Sequence, residues 1–331
     1  MITGVDTRFI FRNDFYEVTS EYRTAIMGLA MLSIMLFHQY FTTDIPFNAF
    51  HYFGYWGVDV FLFLSGMGLE RSLENNPLPV YYKRRFKRII PSCILCGTTK
   101  YLTFILLGSS VAVLKDGLNL GWWSLASLDL WFIPTILILY TISPLLYHLL
   151  CKWPYTTIAT IIIVLFINGL TLSPIIGSNW FSPQGVLSRT IERLPVFTAG
   201  MLISTRKDWV NEAIPYSMIF LLIALGIKIL VKAGIQLYGD SAYSFLALAF
   251  GMPALIVINI YVLKIMPCNL KRCVIFLGKY SLELYLVHEF IFWSLKIIFI
   301  NVSPWILLPT GILLSCLAAC LCKLIINKCL S

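Results

Sequence analysis

Ten stretches of about twenty mostly apolar residues follow one another along this chain, each long enough to cross a bilayer as a helix. They run Thr24–Thr43, Tyr52–Glu70, Arg88–Leu107, Asp129–Leu150, Trp153–Leu170, Ser188–Ser204, Ala213–Lys232, Ser241–Lys264, Val274–Ile298 and Pro304–Asn327. The second and sixth are the least apolar. Hydrophobic residues make up 59% of the 331 residues and charged residues only 12%. A soluble domain of this size has no interior large enough for that much apolar surface. A soluble enzyme, a disordered chain, a nucleic-acid module and a secreted disulfide scaffold are thereby excluded. The fold class expected is an all-α integral membrane protein, a bundle of about ten transmembrane helices.

The charges give the bundle a direction. Net charge is +9, and seventeen lysines and arginines fall on the side of the N-terminus when ten spans are counted. The opposite side receives four, Lys115, Lys228, Lys232 and Lys296. Positive residues stay on the cytoplasmic side, so both termini are expected there, in a multi-pass membrane protein. None of the nine cysteines falls in an expected outer loop, and they read as reduced, small apolar residues. Cys93 and Cys96 lack partners at zinc spacing, so no metal is expected. Residues 1–23 read as a cytoplasmic segment without a cleaved signal, 24–327 as the membrane domain and 328–331 as a tail. The polar breaks Ser72–Lys87, Ser109–Leu128 and Thr171–Leu187 read as loops.

Ionisable residues are costly inside a bilayer and each needs a reason. From helical rise, His38 lies roughly 8 Å, Asp59 roughly 10 Å and His288 roughly 15 Å from the outer ends of their spans. Glu192 and Arg193 lie at a depth like that of Asp59. These groups share one layer of the outer half and suggest a polar cavity. His38 suits chemistry, because imidazole can take a proton from an alcohol and return one near neutral pH. It also suits interhelical hydrogen bonding. Asp59 or Glu192 could orient it, although Asp59 reads first as a cap or a partner for an arginine. His288 reads first as interhelical glue.

A second signal lies at the inner mouth of the third span, in Lys83, Arg84, Arg85, Lys87 and Arg88. Topology and anionic headgroups account for such a cluster. Arg85 and Arg88, however, stand three residues apart on one helix face, and two guanidinium forks suit a multiply phosphorylated ligand from the cytosol.

The ordered motifs resemble the acyltransferase-3 family of membrane O-acyltransferases. Span one, Met27 to His38, is similar to the family's first helix, which ends in its essential histidine. Gly57-Val58-Asp59 through Ser65-Gly66 resembles the signature second helix, and Arg84-Arg85-Phe86-Lys87-Arg88 ahead of Pro91 the Arg-x-x-Arg motif. Trp131 with Pro134, Tyr140 and Pro144 fits the fourth span, Arg193-Leu194-Pro195 the sixth, and Ser281 to His288 a late helix. Where the family places a basic residue ahead of the histidine, this chain has Met27. The role falls either to Arg23, one turn further down, or to another residue.

The resemblance implies a stand-alone enzyme that moves an acyl group, by default acetyl, from acetyl-CoA or another acyl-CoA. The acceptor would be a hydroxyl of a cell-envelope polysaccharide, a lipid-linked sugar or a related glycan. His38, Asp59 and Glu192 would form the catalytic set. Arg85, Arg88, Arg84 and Arg23 would hold the donor. Arg193, Trp131, Tyr140, His288 and Ser65 would line the substrate side, with Arg193 or a helix dipole opposite the oxyanion. The thiol arm would cross roughly 20 Å through the bundle, from the arginines to His38. Direct transfer and an acyl-histidine relay are both open. The expected partners are acyl-CoA, the glycan acceptor and membrane lipid, with no nucleic acid. Buried acids and bases also suit a transporter or flippase, or a non-catalytic sensor on the same bundle. No inverted repeat supports transport.

Overall fold

A computed structural model describes residues 15–39, 53–106, 131–172, 183–235, 239–299 and 302–330. Among them every regular element is a helix. These are α1 (Phe15–Phe37), α2 (Trp56–Met67), α3 (Glu70–Glu74), α4 (Leu78–Leu106), α5 (Phe132–Lys152) and α6 (Pro154–Leu170). They continue as α7 (Pro183–Thr205), α8 (Lys207–Lys232), α9 (Asp240–Ile265), α10 (Cys268–Lys279), α11 (Ser281–Ile298) and α12 (Pro304–Leu330). The stretch Ser109–Leu128, Lys115, the first fourteen residues and most of Thr171–Leu187 lie outside the described residues.

Among the described residues four helical stretches are long and apolar enough to cross a membrane: Phe132–Lys152, Glu212–Lys232, Ser241–Ile265 and Pro304–Cys329. Among the described residues each apolar window falls largely on helix, but two differ from the expected extent. The ninth window is broken at Tyr280, so that α10 precedes α11 instead of merging with it. The reason is the charged face of α10: it carries Lys271 and Arg272 and buries only Val274, Leu277 and Gly278. Those residues press it onto α1, where a Cβ on Gly28 would strike the Val274 carbonyl and one on Gly278 the Thr24 carbonyl.

The second window shrinks to the 12 residues of α2. At 1.5 Å per residue that is roughly 18 Å, short of the hydrocarbon thickness of about 30 Å. All of α2 except Ser65 is buried, so protein surrounds it. Gly66 of α2 and Gly200 of α7 let the two backbones touch: a Cβ on either would meet the Phe197 or Phe63 carbonyl. This small-residue contact aligns α2 with α7 and sets their polar side chains face to face.

Candidate active site

Helix α1 ends at Phe37, and the amide of His38 still donates to the Ile34 carbonyl at 3.0 Å. The imidazole is therefore held at the helix end, half-buried, with the Phe37 ring edge-on at 4.8 Å between centroids. Its Nδ1 lies 3.0 Å from Nε2 of His288 on α11. His288 is 1% exposed, and its Nδ1 lies 3.0 Å from the carbonyls of both Leu284 and Tyr285. Carbonyl oxygens only accept, so the His288 proton sits on Nδ1 and its Nε2 is the acceptor. His38 must then donate through Nδ1. In neutral His38 the lone pair is on Nε2, so a backbone contact on α11 sets the tautomer of a ring on α1.

This corrects the expected partnership. Neither Asp59 nor Glu192 hydrogen-bonds His38. Asp59 stands 3.8 Å from Arg193 Nε, and Glu192 Oε2 accepts from Arg193 Nη1 at 2.8 Å. Both Asp59 oxygens and Glu192 Oε1 lack a hydrogen-bond partner among the described residues. The Arg193 guanidinium also lies 4.3 Å from the ring centres of Trp131 and Phe245. The arginine is thus sandwiched between two aromatic faces and two carboxylates. A buried charge is stable only with such compensation, and α2 and α7 supply it to each other. Asp59 is in the first turn of α2, nearer the helix start than the window implied.

The expected donor residues gather elsewhere. Arg23, Arg85 and Arg88 line a cavity of about 100 Å³ with Ser65, Tyr140 and Tyr285. Arg85 donates to the Gly68 carbonyl at 3.3 Å and lies 5.1 Å from the Tyr140 ring centre. Gly68 leaves room for the Arg23 guanidinium, whose Nη1 would come within 3.1 Å of an added Cβ. Arg23 and Met27 are both on this wall, one turn apart on α1. Arg84 is exposed and lies outside it.

His38 is not among the described residues that line this cavity. Three rings of its wall touch one another. Phe132 meets Tyr285 edge-on at 5.1 Å and Phe61 at 6.3 Å. Tyr285 belongs to both regions, for its side chain lines the cavity and its carbonyl holds His288. Sequence reasoning missed the His38–His288 pair, although their similar depth in two spans was the signal. It also missed Gly68, Phe61 and Phe132, which carry no polar group to draw notice.

No curated protein and no solved structure matches the chain significantly. The profile of an acyltransferase domain does match, over residues 25–327, nearly the whole length. Together with the helical fold and the apolar spans, that match makes the chain a membrane acyltransferase of the acyltransferase-3 family.

Proposed function

We propose that the protein transfers an acyl group, most simply acetyl, from acyl-CoA to a hydroxyl of a cell-envelope glycan. It does so as a ten-span bundle of the bacterial cytoplasmic membrane with both termini inside. The observation that carries the reading is the hydrogen bond from His38 Nδ1 to His288 Nε2, which leaves the lone pair of His38 on Nε2. The nucleotide phosphates of the donor meet Arg23, Arg85 and Arg88, and the thiol arm follows the wall of Ser65, Tyr140 and Tyr285. Such forks suit phosphate oxygens, and the aromatic wall suits a thin, mostly apolar arm.

In the chemical step, His38 Nε2 takes the proton of the acceptor hydroxyl as that oxygen attacks the thioester carbonyl carbon. The tetrahedral intermediate collapses with cleavage of the carbon–sulfur bond. The imidazolium returns its proton to the departing thiolate, so the products are the ester and free CoA. His288 positions His38 and stabilises its charged form by accepting from Nδ1. The rings of Phe61, Phe132 and Tyr285 part to admit the acyl end.

The test is thiol release from acetyl-CoA by the purified full chain in nanodiscs, with mass spectrometry of envelope glycans from cells with and without it. The expected results are CoA release and an acyl increment present only with the protein. Failure to bind or turn over any acyl-CoA overturns the reading.

A further inference from the structure

Helix α4 opens with a stretch that is mostly open to solvent, in which Lys83, Arg84, Lys87 and Arg88 are all exposed. Tyr81 of the same stretch is 0% exposed. A tyrosine buried to that degree needs a partner for its hydroxyl, and the partners are on α5. The hydroxyl lies 2.6 Å from Ser143 Oγ and 3.2 Å from the Tyr140 carbonyl. Ser143 is also buried, and it donates to that same carbonyl at 2.9 Å. A closed set of three oxygens thus locks the phenol to α5.

One turn further along α4, on the same face, stands Arg85. Its guanidinium carbon lies 5.7 Å from the Tyr81 ring centre and 5.1 Å from that of Tyr140, both within cation–π reach. Its Nη2 donates to the Gly68 carbonyl at 3.3 Å. The two rings that face the guanidinium therefore belong to the two residues that meet at Ser143. Arg85 and Tyr140 line the donor-side cavity, and Tyr81 is not among its lining residues. Whatever Tyr81 does for the cavity, it does through them. Tyr82 supplies the contrast. Its hydroxyl also joins α4 to α5, donating to the Thr141 carbonyl at 3.0 Å, but its ring is stacked on Phe86.

A long cationic side chain gives up rotamer freedom when it takes an anion. A guanidinium already held in one plane offers its fork at lower cost. We propose that Tyr81, locked by Ser143, is a positioning residue for the donor site, holding the Arg85 guanidinium in the plane in which it meets a donor phosphate. The proposal rests on the reading of this cavity as the acyl-CoA site and deepens it. One edge of Arg85 is occupied by Gly68, and the edge turned to the phosphate is set by a tyrosine that never touches the ligand.

The test is a double-mutant cycle on the full chain in nanodiscs. It reads KM and kcat for acetyl-CoA by thiol release, and CoA affinity by equilibrium dialysis. Tyr81→Leu should raise KM and weaken CoA binding by about tenfold with kcat nearly constant. Tyr81→Phe and Ser143→Ala, which keep the ring and remove its lock, should each raise KM by about threefold. In an Arg85→Gln background none of the three should raise KM further, because residues that act through one group are not additive. Tyr82→Phe, which breaks a contact between the same helices, should leave KM unchanged. If Tyr81→Leu does not fold, Tyr81→Phe and Ser143→Ala close the same cycle. Losses that add to that of Arg85→Gln, or an equal rise in KM for Tyr82→Phe, overturn the proposal while the donor reading stands. A wild-type protein that does not bind CoA overturns both.

Discussion

The histidine pair and the Asp59–Glu192–Arg193 cluster are both buried polar groups built across helices, yet they meet burial in opposite ways. The pair is neutral, and three acceptors fix its protons: one ring nitrogen and two carbonyls. The cluster sets one guanidinium against two carboxylates, and only Glu192 is hydrogen-bonded to it, with both Asp59 oxygens lacking a partner among the described residues. The half-buried His38 can take a proton at Nε2 while keeping its bond to His288. In the ionic cluster any change of charge leaves a partner exposed to the low dielectric. On the proposed reading chemistry belongs with the histidines, and the docking of α2 on α7 belongs with the ions.

The comparison breaks most visibly if either member is deleted. His38→Ala should lower acyl transfer by about 10²–10⁴-fold, the usual reach of a general base, while thermal unfolding stays near the wild-type midpoint. Full activity in that variant would remove the histidine from the reaction. Arg193→Met should do the reverse in kind. It takes the nearest cation from two buried carboxylates and should cost about 3–5 kcal/mol of stability, read as a drop in unfolding temperature of the purified protein. Adding Asp59→Asn and Glu192→Gln should recover part of that loss. An unchanged midpoint for Arg193→Met would show that the cluster is not structural.

The same contrast explains what the sequence could and could not disclose. The helices were legible because apolar runs of spanning length have few other uses, and the family was legible because its motifs keep their order. Asp59, read first as an arginine's partner, stands against Arg193. Depth counted along helices put His38, Asp59, Glu192 and His288 in one layer, but depth says nothing about rotation about each helix axis. That missing angle decides which polar groups meet, and it pairs His38 with His288 instead of with a carboxylate. The break at Tyr280 was hidden for a related reason. The charged face of α10 becomes a boundary only once Gly278 is pressed on α1.

A finer probe separates positioning from charge within the pair. His288→Ala removes the acceptor for His38 Nδ1 and lets the ring turn. A misplacement of about 1 Å can cost on the order of a hundredfold, so kcat should fall by about that factor while KM for acyl-CoA holds. His288→Gln should restore a large part, because its amide oxygen can accept the same hydrogen bond. Equal losses in the two variants would mean that His288 acts by packing alone.

The smallest expected effect lies furthest from the histidines and sharpens the division of labour along the bundle. Arg85 is anchored by the Gly68 carbonyl and two tyrosine rings, whereas Arg88 is exposed at the cavity rim. Replacing Arg88 by Gln removes a solvent-facing charge that no contact among the described residues requires. Stability should not change, and KM for acyl-CoA should rise by about tenfold with kcat nearly constant, since the contact is made equally in ground and transition states. The increase should shrink as salt is raised, because an exposed guanidinium–phosphate contact is screened. Arg85→Gln should raise KM as well but also lower the unfolding midpoint, because it strips the Gly68 carbonyl and the tyrosine faces of their partner. If Arg88→Gln leaves KM untouched at low salt, the arginines serve topology and the donor enters by another route.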